Sequence, residues 1–117
     1  MKKDSLIFLE HILQSIHDIE DFTKNIKTKH DLSQAKMAYE AVMRKIEIIG
    51  EAVKNLPASF RNKHDEIPWK SIAGMRDKLI HNYFDVDLDR VWVAIKDEVP
   101  KLKKQIQEIL EAEKRNV

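Results

Sequence analysis

The chain has 117 residues, enough for one domain with a buried core of its own and too short for two. It contains no cysteine, which excludes disulfides, thiol catalysis and thiolate metal sites and points to a reducing compartment, the cytoplasm. Its 21 basic and 20 acidic residues nearly cancel to +1, so there is no broad positive field for nucleic acid and any RNA contact must be local.

Lys2 and Lys3 precede an apolar run, Leu6 to Leu9, that stops at Glu10 and His11. That is too short for a signal-peptide core or a membrane span, and neither is expected. Leu6, Leu9, Ile12, Leu13, Ile16, Ile19, Phe22 and Ile26 recur at three-or-four spacing and predict an amphipathic helix capped by Asp4 or Ser5. Lys27 to Asp31 interrupts the pattern. Asp31 or Ser33 then caps a second helix through Ala35, Ala38, Val42, Ile46, Ile49, Val53 and Leu56, running to about Asn55. A partial second stripe, Met37, Ala41, Ile48 and Ala52, predicts packing on two sides, in the middle of a bundle or at a dimer contact, with Gly50 allowing close approach.

Pro57 ends this helix, and residues 58–67 read as a polar connection with room for one helical turn. Pro68 suits a helix start, because its missing N–H would be unpaired there anyway, so a third helix is expected from Pro68 to Phe84. Asp85 to Asp87 makes a turn and an N-cap for a last helix through Leu88, Val91, Trp92, Ile95, Val99, Leu102, Ile106 and Ile109. Pro100 should kink it near Lys96 to Val99, and the tail should fray from Glu111. Four long helices with short connections imply an all-α, up-and-down bundle forming a single domain over residues 1–117.

The third helix carries the densest chemistry: Arg76, Asp77, His81 and Tyr83 bring a permanent cation, a carboxylate, a neutral-pH proton carrier and a phenol into one short stretch. On an ideal wheel, at roughly 100° per residue, Arg76 and Tyr83 fall within the apolar face made by Trp69, Ile72, Ala73, Met75, Leu79, Ile80 and Phe84. A guanidinium there needs a carboxylate, a carbonyl or a bound anion. Asp77 and His81 are neighbours four residues apart, so Asp77 can orient the imidazole. Arg76 and His81 lie about 140° apart. Bringing all four together requires a distorted helix end near His81 or a second copy of the helix across a twofold axis, and the dimer is the favoured solution.

Taken singly, these residues have ordinary readings: Arg76 as a snorkelling cover, His81 as a surface or core histidine, Tyr83 as a core residue with a wet hydroxyl. His11, His17, His30 and His64 have no metal-ligand spacing, the repeated Glu-x-x-His of di-iron bundles is missing, and no metal site is expected. Glu10, Asp18, Glu20, Asp21, Glu40, Glu47 and Glu51 read as solvent-facing charge. Lys101, Lys103 and Lys104 read as surface charge with a possible part in guiding RNA.

The Arg-x4-His-x-Tyr spacing of Arg76, His81 and Tyr83 resembles the signature of HEPN-domain proteins. With Ile49-Gly50-Glu51-Ala52, Ile67-Pro68-Trp69, Gly74-Met75-Arg76-Asp77 and Val91-Trp92 around it, nearly the whole chain is similar to HepT-like toxins. The resemblance implies a homodimeric, all-helical endoribonuclease that needs no metal or cofactor and serves as the toxin of a toxin-antitoxin pair. Its partner would be a minimal nucleotidyltransferase that neutralises it by transferring AMP to Tyr83. The resemblance makes Arg76 and His81 catalytic, with Asp77 and Tyr83 supporting. His81 would act as general base or acid in attack by a ribose 2′-hydroxyl, and Arg76 would hold the scissile phosphate. Asp77 is a mild variant of a position that alternates between Asn and Asp. A second reading is a non-catalytic helical subunit that binds substrate or nucleotide for a neighbouring nucleotidyltransferase, and a third is a structural dimerisation bundle.

Overall fold

The computed structural model describes residues 2–82 and 85–115. It is all-α apart from one minimal hairpin, and its elements are those whose apolar periodicity is strongest. Helix α1 (Lys2–Thr23) turns Leu9, Ile12, Ile16 and Ile19 inward at the expected spacing. The helix already runs at Lys2, so Asp4 and Ser5 lie within it and are not its cap, and Ser5 is buried.

The cap of the next element is Thr28, ahead of both residues expected. Its hydroxyl accepts from the Asp31 N–H at 3.0 Å while Asp31 accepts from the Lys27 N–H at 3.0 Å, a reciprocal exchange that fixes a short helix α2 (Lys29–Ser33). The chain breaks at Gln34 and Ala35 before α3 (Lys36–Asn55). Helix α3 packs on α1 along one side and on the motif-bearing segment along the other, as two stripes should. The second stripe is only partly used: Ala52 is buried, Ala41 and Ile48 are half-buried, and Met37 is 87% exposed. Three ion pairs among the described residues tie the long helices together, Lys45 of α3 to Asp18 at 2.9 Å, Lys103 to Glu20 at 2.8 Å and Lys114 to Glu10 at 3.4 Å. The Lys45 hydrogen bond holds the Asp18 carboxyl below its usual value, and the Lys103 bond does the same for Glu20.

After Pro57, residues expected as a polar connection form α4 (Ala58–Lys63), anchored by buried Phe60. Trp69 locks the following loop, its indole Nε1 donating to the carbonyls of Arg61 at 3.2 Å and His64 at 3.0 Å. The expected third long helix is absent. Its place is taken by α5 (Trp69–Ala73) and α6 (Met75–Leu79), separated by Gly74, and then by an antiparallel pair, β1 (Ile80–Asn82) and β2 (Asp85–Val86), with Ile80 opposite Val86. Ile80 is already extended, at φ −124° and ψ 119°.

Helix α7 (Leu88–Val93) is capped by Asp87, as the sequence suggested. It widens into one π turn (Ala94–Glu98) and continues as α8 (Val99–Arg115). The ring of Pro100 would clash with the carbonyl four residues back, and the helix absorbs it by looping out a residue: the Val99 N–H reaches back five residues to the Ala94 carbonyl. Helix α8 holds to Arg115 and does not fray at Glu111, because Glu113 is buried and receives Lys63 of α4 at 3.0 Å. Among the described residues, no helix is long and apolar enough to cross a membrane.

Candidate functional site

The four motif residues do not share a helix. Arg76 and Asp77 lie on α6, His81 on β1, and Tyr83 outside the described residues, as does Phe84. The expected i,i+4 pair of Asp77 with His81 therefore does not form. Helix α6 ends at Leu79, and the turn that would have stacked the two side chains is replaced by extended chain.

Arg76 is not within the apolar face. Trp69, Ile72, Met75 and Leu79 are buried, whereas Arg76 is exposed and reaches across to α3, where its Nε lies 3.1 Å from Glu47 Oε2. Glu47 also pairs through its other oxygen with Arg44, one turn back on α3. A small cleft of about 130 Å³ forms here between α3 and α6, lined by Glu47, Gly50, Glu51, Lys54, Arg76 and Asp77. Gly50 makes this approach possible: a Cβ at this position would stand 3.0 Å from the carbonyl oxygen of Ala73. The close approach anticipated at Gly50 is thus made within the chain, against the helix that leads into the motif.

His81 has a different partner. Its Nε2 lies 3.7 Å from Asp87 Oδ2, with the imidazole 59% and the carboxylate 29% exposed. Asp87 is held from two other directions. Its N–H donates to the Leu79 carbonyl at 2.8 Å, closing the base of the hairpin, and its Oδ1 accepts from the Arg90 N–H at 3.1 Å, capping α7. One carboxylate thus secures the end of α6, the start of α7 and one edge of the imidazole. The orienting role expected of Asp77 falls by geometry to Asp87, which the sequence had marked only as a cap.

Within one chain, no hydrogen bond or ion pair among the described residues joins the Arg76 cleft to the His81–Asp87 pair. Glu47 was the other residue missed, since nothing in the local pattern of α3 distinguishes it from its exposed neighbours. Among the described residues, no three His, Cys, Asp or Glu side chains converge as a metal cage. Of the basic stretch in α8, Lys103 is engaged by Glu20, while Lys101 and Lys104 stay exposed.

The chain matches the ribonuclease HepT-like family over residues 12–109. It is 53% identical over 111 residues to a Methanocaldococcus jannaschii protein named "gamma-glutamylcyclotransferase and putative RNase"; these cover 95% of this chain and 50% of that protein, so the chain spans about half its length. It is 50% identical to a "putative RNase" of Caldanaerobacter subterraneus subsp. tengcongensis, covering 92% of this chain and 95% of the relative. It is 44% identical to the "probable ribonuclease HepT" of Thermococcus cleftensis, covering 93% and 98%. No solved structure matches the chain significantly.

Proposed function

This chain belongs to the ribonuclease HepT-like family, and we propose from that membership that it is the endoribonuclease toxin of a toxin-antitoxin pair, cleaving RNA without a metal. The observation that best supports a catalytic reading is the setting of His81: an exposed imidazole whose Nε2 edge faces the Asp87 carboxylate, which can orient it for proton transfer. In the reaction, the His81 imidazole takes the proton of a ribose 2′-hydroxyl, the 2′-oxygen attacks the adjacent phosphorus, and the bond to the 5′-oxygen breaks. That oxygen leaves as a 5′-hydroxyl with a proton from water, the imidazolium returns its own proton to solvent, and the other end becomes a 2′,3′-cyclic phosphate.

Arg76 supplies the counter-charge for the crowded phosphorane, its planar fork matching two phosphate oxygens. Its side chain is 45% exposed and, among the described residues, pairs with Glu47, so a phosphate can reach it. Because Arg76 and His81 are not joined within a chain, a homodimer in which two copies share a cleft is the natural assembly. Asp77 and Tyr83 would line that cleft. A minimal nucleotidyltransferase antitoxin would silence it by placing AMP on Tyr83, adding bulk and charge beside the phosphate site.

The test is incubation of the purified protein with RNA in chelator, with analysis of product ends. Wild type should leave 2′,3′-cyclic phosphates, and His81→Ala or Arg76→Ala should leave RNA intact while remaining folded. Mixed dimers carrying one defect on each subunit report whether two chains build one site. Exposure to the partner with ATP should add AMP mass to wild type but not to Tyr83→Phe. Full cleavage by His81→Ala of verified purity would overturn the mechanism, and absence of cleavage by wild type would favour a binding subunit.

A further inference from the structure

A large concavity among the described residues is unused by the motif. It is a cavity of about 850 Å³ between α4 and the start of α5, where Ile67, Pro68 and Trp69 form an apolar wall and Arg61, Lys70 and Lys78 stand around it. Several cations on this nearly neutral surface are matched: Lys29, Lys45, Lys63, Arg76, Lys103 and Lys114 each face a carboxylate. Around the cavity they are not. Among the described residues, neither Arg61 nor Lys70 pairs with an acid, although Asp65 lines the same hollow, and Lys78 donates only to the Ser71 hydroxyl, at 2.7 Å. Arg61 Nε is buried without a hydrogen-bond partner. Lys63, on the same helix as Arg61, shows the contrast, since it is taken up by Glu113.

Three unneutralised cations beside an apolar wall suit a ligand that is anionic at one end and flat and apolar at the other. A nucleotide has that form. Lys78 is three residues before His81, so their Cα atoms lie at most about 11 Å apart. That is a span of about three nucleotides at the 3.4 Å rise of a stacked strand. The open shape favours a strand passing through over an enclosed free ligand.

We propose that this cavity is the docking site for RNA flanking the scissile bond, with Arg61, Lys70 and Lys78 meeting its phosphate and the Ile67–Pro68–Trp69 wall carrying its base. The assignment rests on the ribonuclease reading for the identity of the strand, but binding here does not require catalysis. It would let a chain of net charge +1 hold a polyanion through a local group of three cations set around an apolar wall.

The test uses a labelled single-stranded RNA oligonucleotide and fluorescence anisotropy across a salt series, in a His81→Ala background so that the probe survives. Arg61→Gln/Lys70→Gln/Lys78→Gln should weaken binding at least tenfold and flatten the slope of log affinity against log salt by about two, the value for three lost phosphate contacts on a single strand. A Lys24→Gln/Lys27→Gln/Lys36→Gln protein, with the same loss of charge elsewhere, should keep the slope. If the Arg61 substitution disturbs folding, Lys70→Gln/Lys78→Gln alone should give a proportionate loss. With His81 intact, the cavity variant should raise KM and leave kcat unchanged.

An unchanged slope and KM, or an equal loss in the control protein, overturns the proposal. Displacement of the oligonucleotide by millimolar AMP, with its own affinity lost in the cavity variant, would assign the hollow to a free nucleotide and refute the strand. Wild-type protein that binds RNA through these cations yet never cleaves it would sink the ribonuclease reading and leave the docking site standing. Cleavage with KM indifferent to the cavity would do the reverse.

Discussion

Asp87 serves two purposes that substitution can separate. Asp87→Ala removes the Oδ1 cap of α7 and the Oδ2 that faces His81, whereas Asp87→Asn keeps an acceptor for the Arg90 N–H and discards the charge. Losing an N-cap acceptor to Ala costs about 1 kcal/mol, while Asn and Asp cap almost equally well. For a domain of this size that corresponds to a fall in Tm of about 4 °C for the alanine variant and near zero for the asparagine. The partnership with His81 spans 3.7 Å between groups 59% and 29% exposed, so solvent screens it. Half-exposed pairs of this kind contribute at most about 1 kcal/mol. Expressed wholly in the transition state, that is about a fivefold loss in kcat, shared by both variants.

The assays are thermal melts at neutral pH and kcat at saturating RNA in chelator, with the pH profile of each variant recorded alongside. A positioning role requires kcat to fall and the profile to change shape with KM unmoved. Asp87→Asn with wild-type kcat and profile would reduce Asp87 to a helix cap. A loss of a thousandfold or more would mean that it touches the reacting atoms itself.

Gly50→Ala should gain up to about 1 kcal/mol of helix propensity and lose more, because the new methyl meets a backbone carbonyl 3.0 Å away and not a yielding side chain. A net fall in Tm together with weaker RNA cleavage is expected, and a more stable, fully active protein would show that α5 can retreat freely. Trp69→Phe strips a donor from two carbonyls and should cost about 1–2 kcal/mol, measured by urea denaturation. The Asp18 and Glu20 carboxyls are held below their ordinary values of 3.8 and 4.5, so they stabilise the fold fully above those values, and the benefit disappears as pH falls through the lower folded-state values. Asp18→Asn/Glu20→Gln should therefore melt below wild type at pH 7 and converge with it as pH falls through those lowered values; a gap that persists in acid would assign the effect to packing.

What could be read in advance followed the strength of the periodic signal. The buried stripes of α1, α3 and α8 stand in the sequence because Leu9, Ile12 and Ile16, or Leu102, Ile106 and Ile109, bury one face only if the chain is helical. Pro100 announced its irregularity, though not that a π turn would absorb it. The hairpin was hidden because Leu79, Ile80, Tyr83 and Phe84 recur at i, i+1, i+4 and i+5, a helical spacing with no period-two alternation to mark a strand. Ile80, His81 and Asn82 are weak helix formers, a small signal that was outweighed. The residues that face Arg76 and His81 were not legible at all. Glu47 lies on another helix and Asp87 beyond a turn, and such partners are chosen by tertiary packing, which leaves no local period.

The doubly engaged carboxylate of Glu47 has a thermodynamic consequence for any anion that arrives at Arg76. A carboxylate with a single arginine would be stranded when that arginine turned away, and the penalty would oppose the newcomer. Glu47 keeps Arg44 after Arg76 departs, so the exchange trades one ionic partner for another without orphaning a charge. Arg76 is parked in a state from which it is easily released, and Arg44, one turn from Glu47 on α3, sets how easily. Removing Arg44 would tighten the hold of Glu47 on Arg76 and turn a loose rest position into a latch.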